Sequence, residues 1–354
     1  MPLIAWPRLG GRKGRMVNLC GGTTDSVTGD YGTVGNLYDV WFDWPWDAWI
    51  KPQIDAAHAL GANVVRFIFD ATLRIGDASH HGNPTWRGTI SDATMVARLD
   101  QLITYLDGLG MYFYATASEA WALQTAGVIG TDIQAHIERF AEIVSGYSNV
   151  VALDIANEHD ACTELVTYRA AMIAAAKTAM SPVLPVSASI FSNTLTGTPW
   201  GATPASRATY QDLIDSGADF IDNHFYTRAF SPTDLAGLFA LNVPIVIGEM
   251  GIDYNGNFAS GAADGGSAAR RAAYYDAIVT LSECPEIQAT GVWAMVQMSD
   301  SPGNDWGLYG KTQDGSNVFI DPRTEMTTRF QLIPKAYATS GSGRFSSVFS
   351  GVVR

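Results

Sequence analysis

Cysteine is nearly missing from this 354-residue sequence. Cys20, Cys162 and Cys284 are odd in number, far apart and never in a CxxC spacing, so neither a disulfide framework nor a zinc site is signalled. Small buried hydrophobes are their expected role. Positive charge is also short, with Lys plus Arg at 22 against Asp plus Glu at 35 and a formal net charge of -13. A field of that sign repels nucleic acid and polyanionic surfaces, which leaves a neutral substrate as the expectation. No apolar stretch approaches the roughly 20 residues that span a bilayer, so membrane insertion is not expected. Met1 to Arg15 carries Arg8, Arg12, Lys13 and Arg15 but lacks the apolar run of about 7 residues or more that a secretory leader needs. A dinucleotide fingerprint is missing too, because Gly21-Gly22-Thr23-Thr24 leads from the first apolar run into a loop and not into a helix.

What is present is an alternation of apolar strands and amphipathic helices. Strands are expected at Met16 to Cys20, Asn63 to Asp70, Met111 to Ala117, Val150 to Ala156, Pro185 to Phe191, Phe220 to Tyr226, Pro244 to Glu249 and Gly291 to Ser299. Seven helices separate them. The first has Pro52 near its start and Gly61 past its end. The second is capped by Ser91 ahead of Met95, Val96, Leu99, Leu102, Ile103 and Leu106. Others are expected near 132–147, 162–180, 205–216, 232–241 and 267–283, and a weakly patterned last one between Asp321 and Thr339 is interrupted by Pro334. Eight such units predict a single-domain (β/α)8 TIM barrel, for which about 250 residues are typical before insertions. Its expected span is 15–340, after a lead-in at 1–14 and before a Ser/Gly-rich tail at 341–354 that could serve attachment or simply fray.

In such a barrel the chemistry sits at the C-terminal strand ends. Two of those ends carry glutamates: Val150 to Asp160 runs through Asn157-Glu158, and Pro-Ile-Val-Ile-Gly-Glu-Met-Gly from Pro244 places Glu249. Facing each other across one mouth, two carboxylates are the equipment for hydrolysing a glycosidic bond. Period-two alternation groups Ala152, Asp154, Ala156 and Glu158 on one face, and His224 with Tyr226 on another. Arg66 lies inside an apolar strand, where it needs an anion to offset its lost hydration, with Glu249, Asp70 and Asp154 as the options. Trp293 lies on the expected eighth strand. Trp41, Trp44, Trp46, Trp86, Trp121, Trp200 and Trp306 fall on loops at the same rim, about half of them expected as loop core because each can bury 150 to 250 Å². Trp41 and Trp121 are carried forward as sugar contacts. His58 and His136 read as helix packing or surface residues, and His80 and His81 as solvated loop residues.

Taken jointly, Asn157-Glu158, Glu249, Arg66, His224-Phe225-Tyr226 and Trp293 resemble the retaining glycoside hydrolases of clan A, most closely family 5, over about Val17 to Ser299. The resemblance implies Glu158 as acid/base, Glu249 as nucleophile and Asn157 as donor to the sugar 2-hydroxyl. It further implies Arg66 and Tyr226 holding Glu249 ionised, His224 orienting the acid/base region and Trp293 as floor. Family 5 members usually present a histidine just after strand three, where this chain has Ala115-Thr116-Ala117-Ser118-Glu119. The activity so implied is endo-cleavage of a β-linked neutral polysaccharide or oligosaccharide, with no metal and no organic cofactor. A carbohydrate-binding barrel without catalysis, for instance as part of a phage particle, is the alternative. A metal hydrolase built on Asp154, His159, His224 and Glu249 is weaker, because Asn18 on the first strand lacks flanking histidines. Such an activity operates outside the cell, and without a leader it implies trimming, a virion or lysis.

Overall fold

The computed structural model describes residues 6–19, 37–76, 88–191, 207–225, 238–252, 267–296, 307–310 and 312–337. Its centre is one parallel sheet whose strands are β1 Gly14–Asn18, β2 Val64–Ile68, β3 Tyr112–Thr116, β4 Val150–Asp154, β5 Val186–Ser187, β6 Ile190–Phe191, β7 Ile221–Phe225, β8 Ile245–Met250 and β9 Ile287–Val292. The order is β5-β4-β3-β2-β1-β9-β8-β7-β6. β5 pairs with β4 and β6 with β7, and only Ala188 and Ser189 separate the two pieces. The sheet therefore begins and ends on one stretch of chain, which closes it into a (β/α)8 barrel of eight staves. The break comes from polar bonds: Ser189 N donates to Asp154 Oδ1 at 2.9 Å and Ser189 Oγ to the Ala156 carbonyl at 3.1 Å.

Strands buried on both faces read as near-continuous apolar runs. The interior is apolar at the N-terminal end of the strands, where Met16, Val64, Tyr114, Ala152, Phe220, Val246 and Ala289 pack with Trp6 and Leu9 of the lead-in. Trp6 seals this end, its ring 4.9 Å from Tyr114 and 6.0 Å from Phe220. The basic residues of the lead-in grip carbonyls: Arg8 donates to Val150 O at 2.8 Å, Lys13 to Ser282 O and Cys284 O at 2.7 and 2.6 Å, and Arg15 to Ile333 O at 2.7 Å. At the other end the inward residues turn polar, with Asn18, Arg66, Asp154, Asp222 and His224 all buried.

The outer helices follow the sequence pattern closely. Asp92–Gly108 is capped by Ser91, whose side chain accepts from Thr94 N, and buries Met95, Leu99, Leu102, Ile103 and Leu106. Helices at Lys51–Ala59, Gly130–Ser145, Thr163–Ala179, Arg207–Asp215 and Ala268–Ser282 match the others. Most of the expected 232–241 helix lies outside the described residues, as do the tail, Cys20, Trp86, Trp200 and Trp306. Cys162 and Cys284 are free and buried.

Two expectations need correction. The eighth stave is Ile287–Val292, not Gly291 to Ser299, because Gly291 must sit inside the sheet: a Cβ there would run into the Gly248 carbonyl. The apolar residues after it, Met295 and Val296, are buried outside the strand, Met295 N donating to Asn18 O. Trp41 is not a sugar contact. It is 0% exposed, stacks 4.9 Å from Phe67 and donates Nε1–H to Ile68 O at 2.7 Å, so it belongs to the core, with Phe42, Trp44 and Trp46 half-buried against it.

Candidate active site

β4 delivers Glu158 through a kink. Its φ of 49° is left-handed, an uncommon conformation for a residue with a Cβ. The turn aims Glu158 N at Ser189 Oγ, 2.9 Å away in the break between β5 and β6, so the broken stave fixes the glutamate. β8 delivers Glu249 through a bulge. Alternation from Val246 would put Gly248 inside and Glu249 outside, but the register slips so that Asn223 faces Ile247 while His224 faces Glu249. The extra residue turns the carboxylate inward. Gly248 suits that place because a Cβ would meet the Asp222 carboxylate and come within 2.9 Å of His224 Nε2.

The two glutamates sit in different surroundings. Glu249 Oε1 accepts from Arg66 Nη1 at 2.6 Å. Arg66, wholly buried, also donates to Asn18 Oδ1 at 3.0 Å, Asp154 Oδ2 at 2.9 Å and Asn157 Oδ1 at 2.8 Å. Glu158 takes one bond from Trp121 Nε1 to Oε2 at 2.8 Å, and its Oε1 lies 3.0 Å from His224 Nδ1. Burial pushes Glu158 up to about 7, against which the Trp121 N–H pulls down. Burial holds the His224 imidazole down to about 4, so the ring is neutral. His224 Nδ1 is also 3.5 Å from Glu249 Oε2, and one oxygen of each glutamate and a His224 nitrogen lie within 4.8 Å of one another.

The barrel thus brings together Glu158, Glu249, Arg66, Asn157, His224 and Trp121. Of the partners considered for Arg66, Glu249 and Asp154 bond it. Asp70 instead accepts from Thr72 N at 2.9 Å. Trp293 follows β9 directly and is 9% exposed. Tyr226 lies outside the described residues. The metal set is not assembled, because His159 turns away to Ser189 O at 2.9 Å and to Arg169 at 3.0 Å. Glu158, His224 and Glu249 are close enough to hold an ion, but the Arg66 guanidinium already supplies the positive charge on Glu249 and would repel a second cation.

Two residues at the site were not foreseen. Glu119, in the stretch just after β3 where the resemblance implies a histidine, accepts from Asn157 Nδ2 at 2.9 Å and from the Trp121 backbone N–H at 3.2 Å. Burial, then the nearby Glu158 charge, raises its proton affinity well above the ordinary carboxyl value. It therefore ties the Asn157 amide to the Trp121 backbone N–H, at the start of the turn whose indole reaches Glu158. Asp222, inward and two residues before His224, accepts from Tyr114 OH at 2.6 Å and is pushed by burial up to about 7. Period-two reading back from His224 was the available signal.

No family model and no curated protein matches the sequence. Solved structures match over most of it. An exo-β-1,4-mannosidase, Op5Man5, from Opitutaceae bacterium strain TAV5 is 15% identical with a TM-score of 0.58, over 89% of this chain and 58% of that one, so the chain spans well under two thirds of that relative. A GH5_18 protein from Streptomyces cattleya in complex with GlcNAc is 14% identical with a TM-score of 0.59, over 91% and 80%. A GH113 β-1,4-mannanase is 11% identical with a TM-score of 0.57, over 90% and 99%. The chain shares its barrel with these glycoside hydrolases, as the strand-end resemblance implied.

Proposed function

We propose that this chain is a retaining glycoside hydrolase that cleaves β-linked neutral polysaccharide or oligosaccharide, endo-acting, with Glu158 as acid/base and Glu249 as nucleophile. The observation that carries this reading is the pair itself. Two carboxyls face one another with opposite surroundings, one buried so as to keep its proton near neutral pH and one bonded to a guanidinium that offsets its charge. Nearest oxygens within 4.8 Å favour the retaining spacing of about 5 to 5.5 Å between carboxyls over the roughly 6.5 to 9.5 Å that admits an inverting water.

In the first step a Glu249 oxygen bonds the anomeric carbon as the glycosidic bond breaks, and the Glu158 proton goes to the departing oxygen. In the second, the Glu158 carboxylate takes a proton from water, whose oxygen displaces Glu249. Asn157 keeps one N–H free for a sugar hydroxyl, since its other N–H goes to Glu119 and its Oδ1 to Arg66. Trp293 and Tyr226 remain proposed sugar contacts. Action outside the cell is part of the same proposal.

The test is reducing-end release from β-1,4-mannan, β-glucans, xylans and bacterial surface polysaccharides by wild type and Glu249→Gln, with proton NMR of the first anomer formed. Release by wild type alone with the β-anomer first is expected. Equal release by both proteins, or the inverted anomer first, would overturn the assignment.

A further inference from the structure

One chain of hydrogen bonds runs from the acid to the nucleophile. Trp121 Nε1–H donates to Glu158 Oε2 at 2.8 Å, and the backbone N–H of the same residue donates to Glu119 Oε1 at 3.2 Å. The other oxygen, Glu119 Oε2, accepts from Asn157 Nδ2 at 2.9 Å. Asn157 Oδ1 accepts from Arg66 Nη2 at 2.8 Å, and Arg66 Nη1 donates to Glu249 Oε1 at 2.6 Å. Glu119 is the middle link. Backbone bonds seat it there: Asn157 N donates to Ser118 O at 2.8 Å and Ala120 N to Asn157 O at 3.2 Å, so Glu119 and Asn157 are bridged neighbours just past the ends of β3 and β4.

The residue type decides what this link can do. Glu119 caps the helix Ala120–Ala126, a place where Ser, Thr, Asp and Asn are preferred because a short side chain already reaches the backbone N–H. The extra methylene of glutamate is not needed for the cap. It carries the second oxygen to Asn157. Two donors converge on this side chain, and a carboxyl accepts at both oxygens whether or not it holds a proton. A neutral imidazole accepts at one nitrogen only and a glutamine amide at one oxygen only, so neither could hold both arms. Asn157 cannot turn over to compensate. Its Oδ1 is taken by a guanidinium that only donates, so the amide presents one N–H to Glu119 and the other to the site.

We propose that Glu119 is a positioning residue for both sides of the site: through Asn157 it fixes the N–H that meets the sugar 2-hydroxyl, and through the Trp121 backbone it fixes the indole that bonds Glu158. The consequence for the sugar rests on the glycosidase reading, whereas the two arms are observable without any substrate. Two variants separate them. Glu119→Asp keeps the carboxyl, its charge and a good cap, but falls one methylene short of Asn157. Glu119→Ala cuts both arms.

The experiment is proton–nitrogen NMR of the Asn157 side-chain amide and the Trp121 indole in wild type, Glu119→Asp and Glu119→Ala, with urea midpoints alongside. Glu119→Asp should shift the Asn157 amide, leave exchange of the Trp121 indole N–H with water at the wild-type rate, and keep a higher midpoint than Glu119→Ala. Glu119→Ala should shift the amide and also speed indole exchange by roughly 10-fold, the size expected for one lost hydrogen bond. If hydrolysis is found, kcat/KM of Glu119→Asp should fall roughly 10-fold on an aryl β-glycoside yet stay within about 2-fold of wild type on its 2-deoxy analogue, a split that a helix cap alone would not produce. An Asn157 amide unmoved in Glu119→Asp, indole exchange unmoved in a folded Glu119→Ala, or equal losses on the two glycosides would each overturn the proposal. Both NMR changes in a protein that hydrolyses none of the substrates would uphold the positioning role and sink only the glycosidase reading.

Discussion

Trp121 is 55% exposed, yet its indole Nε1–H is committed to Glu158 Oε2. That bond favours the carboxylate, whereas burial favours the acid. Trp121→Phe removes the first and leaves the second, so Glu158 should hold its proton to higher pH. Because a general acid works only while protonated, activity falls as pH rises through its pKa, and the alkaline limb of kcat/KM should move upward from about 7. A pH-rate profile with a fixed or lowered limb would assign the acid elsewhere. Arg66 offers a second test. Arg66→Met leaves Glu249 and Asp154 buried beside an apolar side chain, and breaking a buried pair from one side costs roughly 3 to 5 kcal/mol. Chemical denaturation should show a loss of that size. Both glutamates and Arg66 were legible because residue type and strand position coincide there. Glu119 was not, because its role depends on a bridge between strand ends, Glu119 to Asn157, that no local pattern reveals.

Strands ending on glutamates could be read at the scale of the element, but the devices that aim them could not. Glu249 falls on the wrong face under strict alternation, and only the bulge in β8 corrects it. Glu158 depends on a stave broken at Ala188 and Ser189, which in sequence is one short apolar run. Trp41 was misread because an aromatic in a long loop looks the same whether its ring meets solvent or Phe67. Glycines carry the missing information. Gly291 passes so close to β8 that its Cβ would meet the Gly248 carbonyl and lie 2.7 Å from Met16 Cε. Backbone cannot yield as a flexible side chain can, so Gly291→Ala should destabilise by about 1 to 3 kcal/mol or more. It should also disturb Glu249 beside the same carbonyl. Urea denaturation and the activity of the folded fraction check the two effects separately, and a neutral substitution would show that the staves have room to part.

Across the whole molecule the buried groups oppose one another as pH changes. His136, His159 and His224 are held by burial down to about 4 from 6.5. The unfolded chain therefore binds more protons at these sites between pH 4 and 6.5, and stability from them rises with pH until about 6.5. Glu158 and Asp222 are raised by burial to about 7 from 4.5 and 3.8, and Glu119 is raised as well. There the folded chain keeps protons that the unfolded chain has lost, so their contribution falls as pH climbs towards 7. Three imidazoles against three carboxyls nearly cancel from about pH 5 to 6.5. Between 6.5 and 7 only the carboxyls still differ, and the net charge of -13 adds self-repulsion of the same sign. Urea midpoints should thus be almost flat up to about pH 6.5 and then drop. Asp222→Asn, with no proton to lose at that site, should shrink the drop. Midpoints that rise through pH 7 would mean these carboxyls are already ionised in the folded barrel, which would remove the acid form of Glu158 on which the proposed chemistry depends.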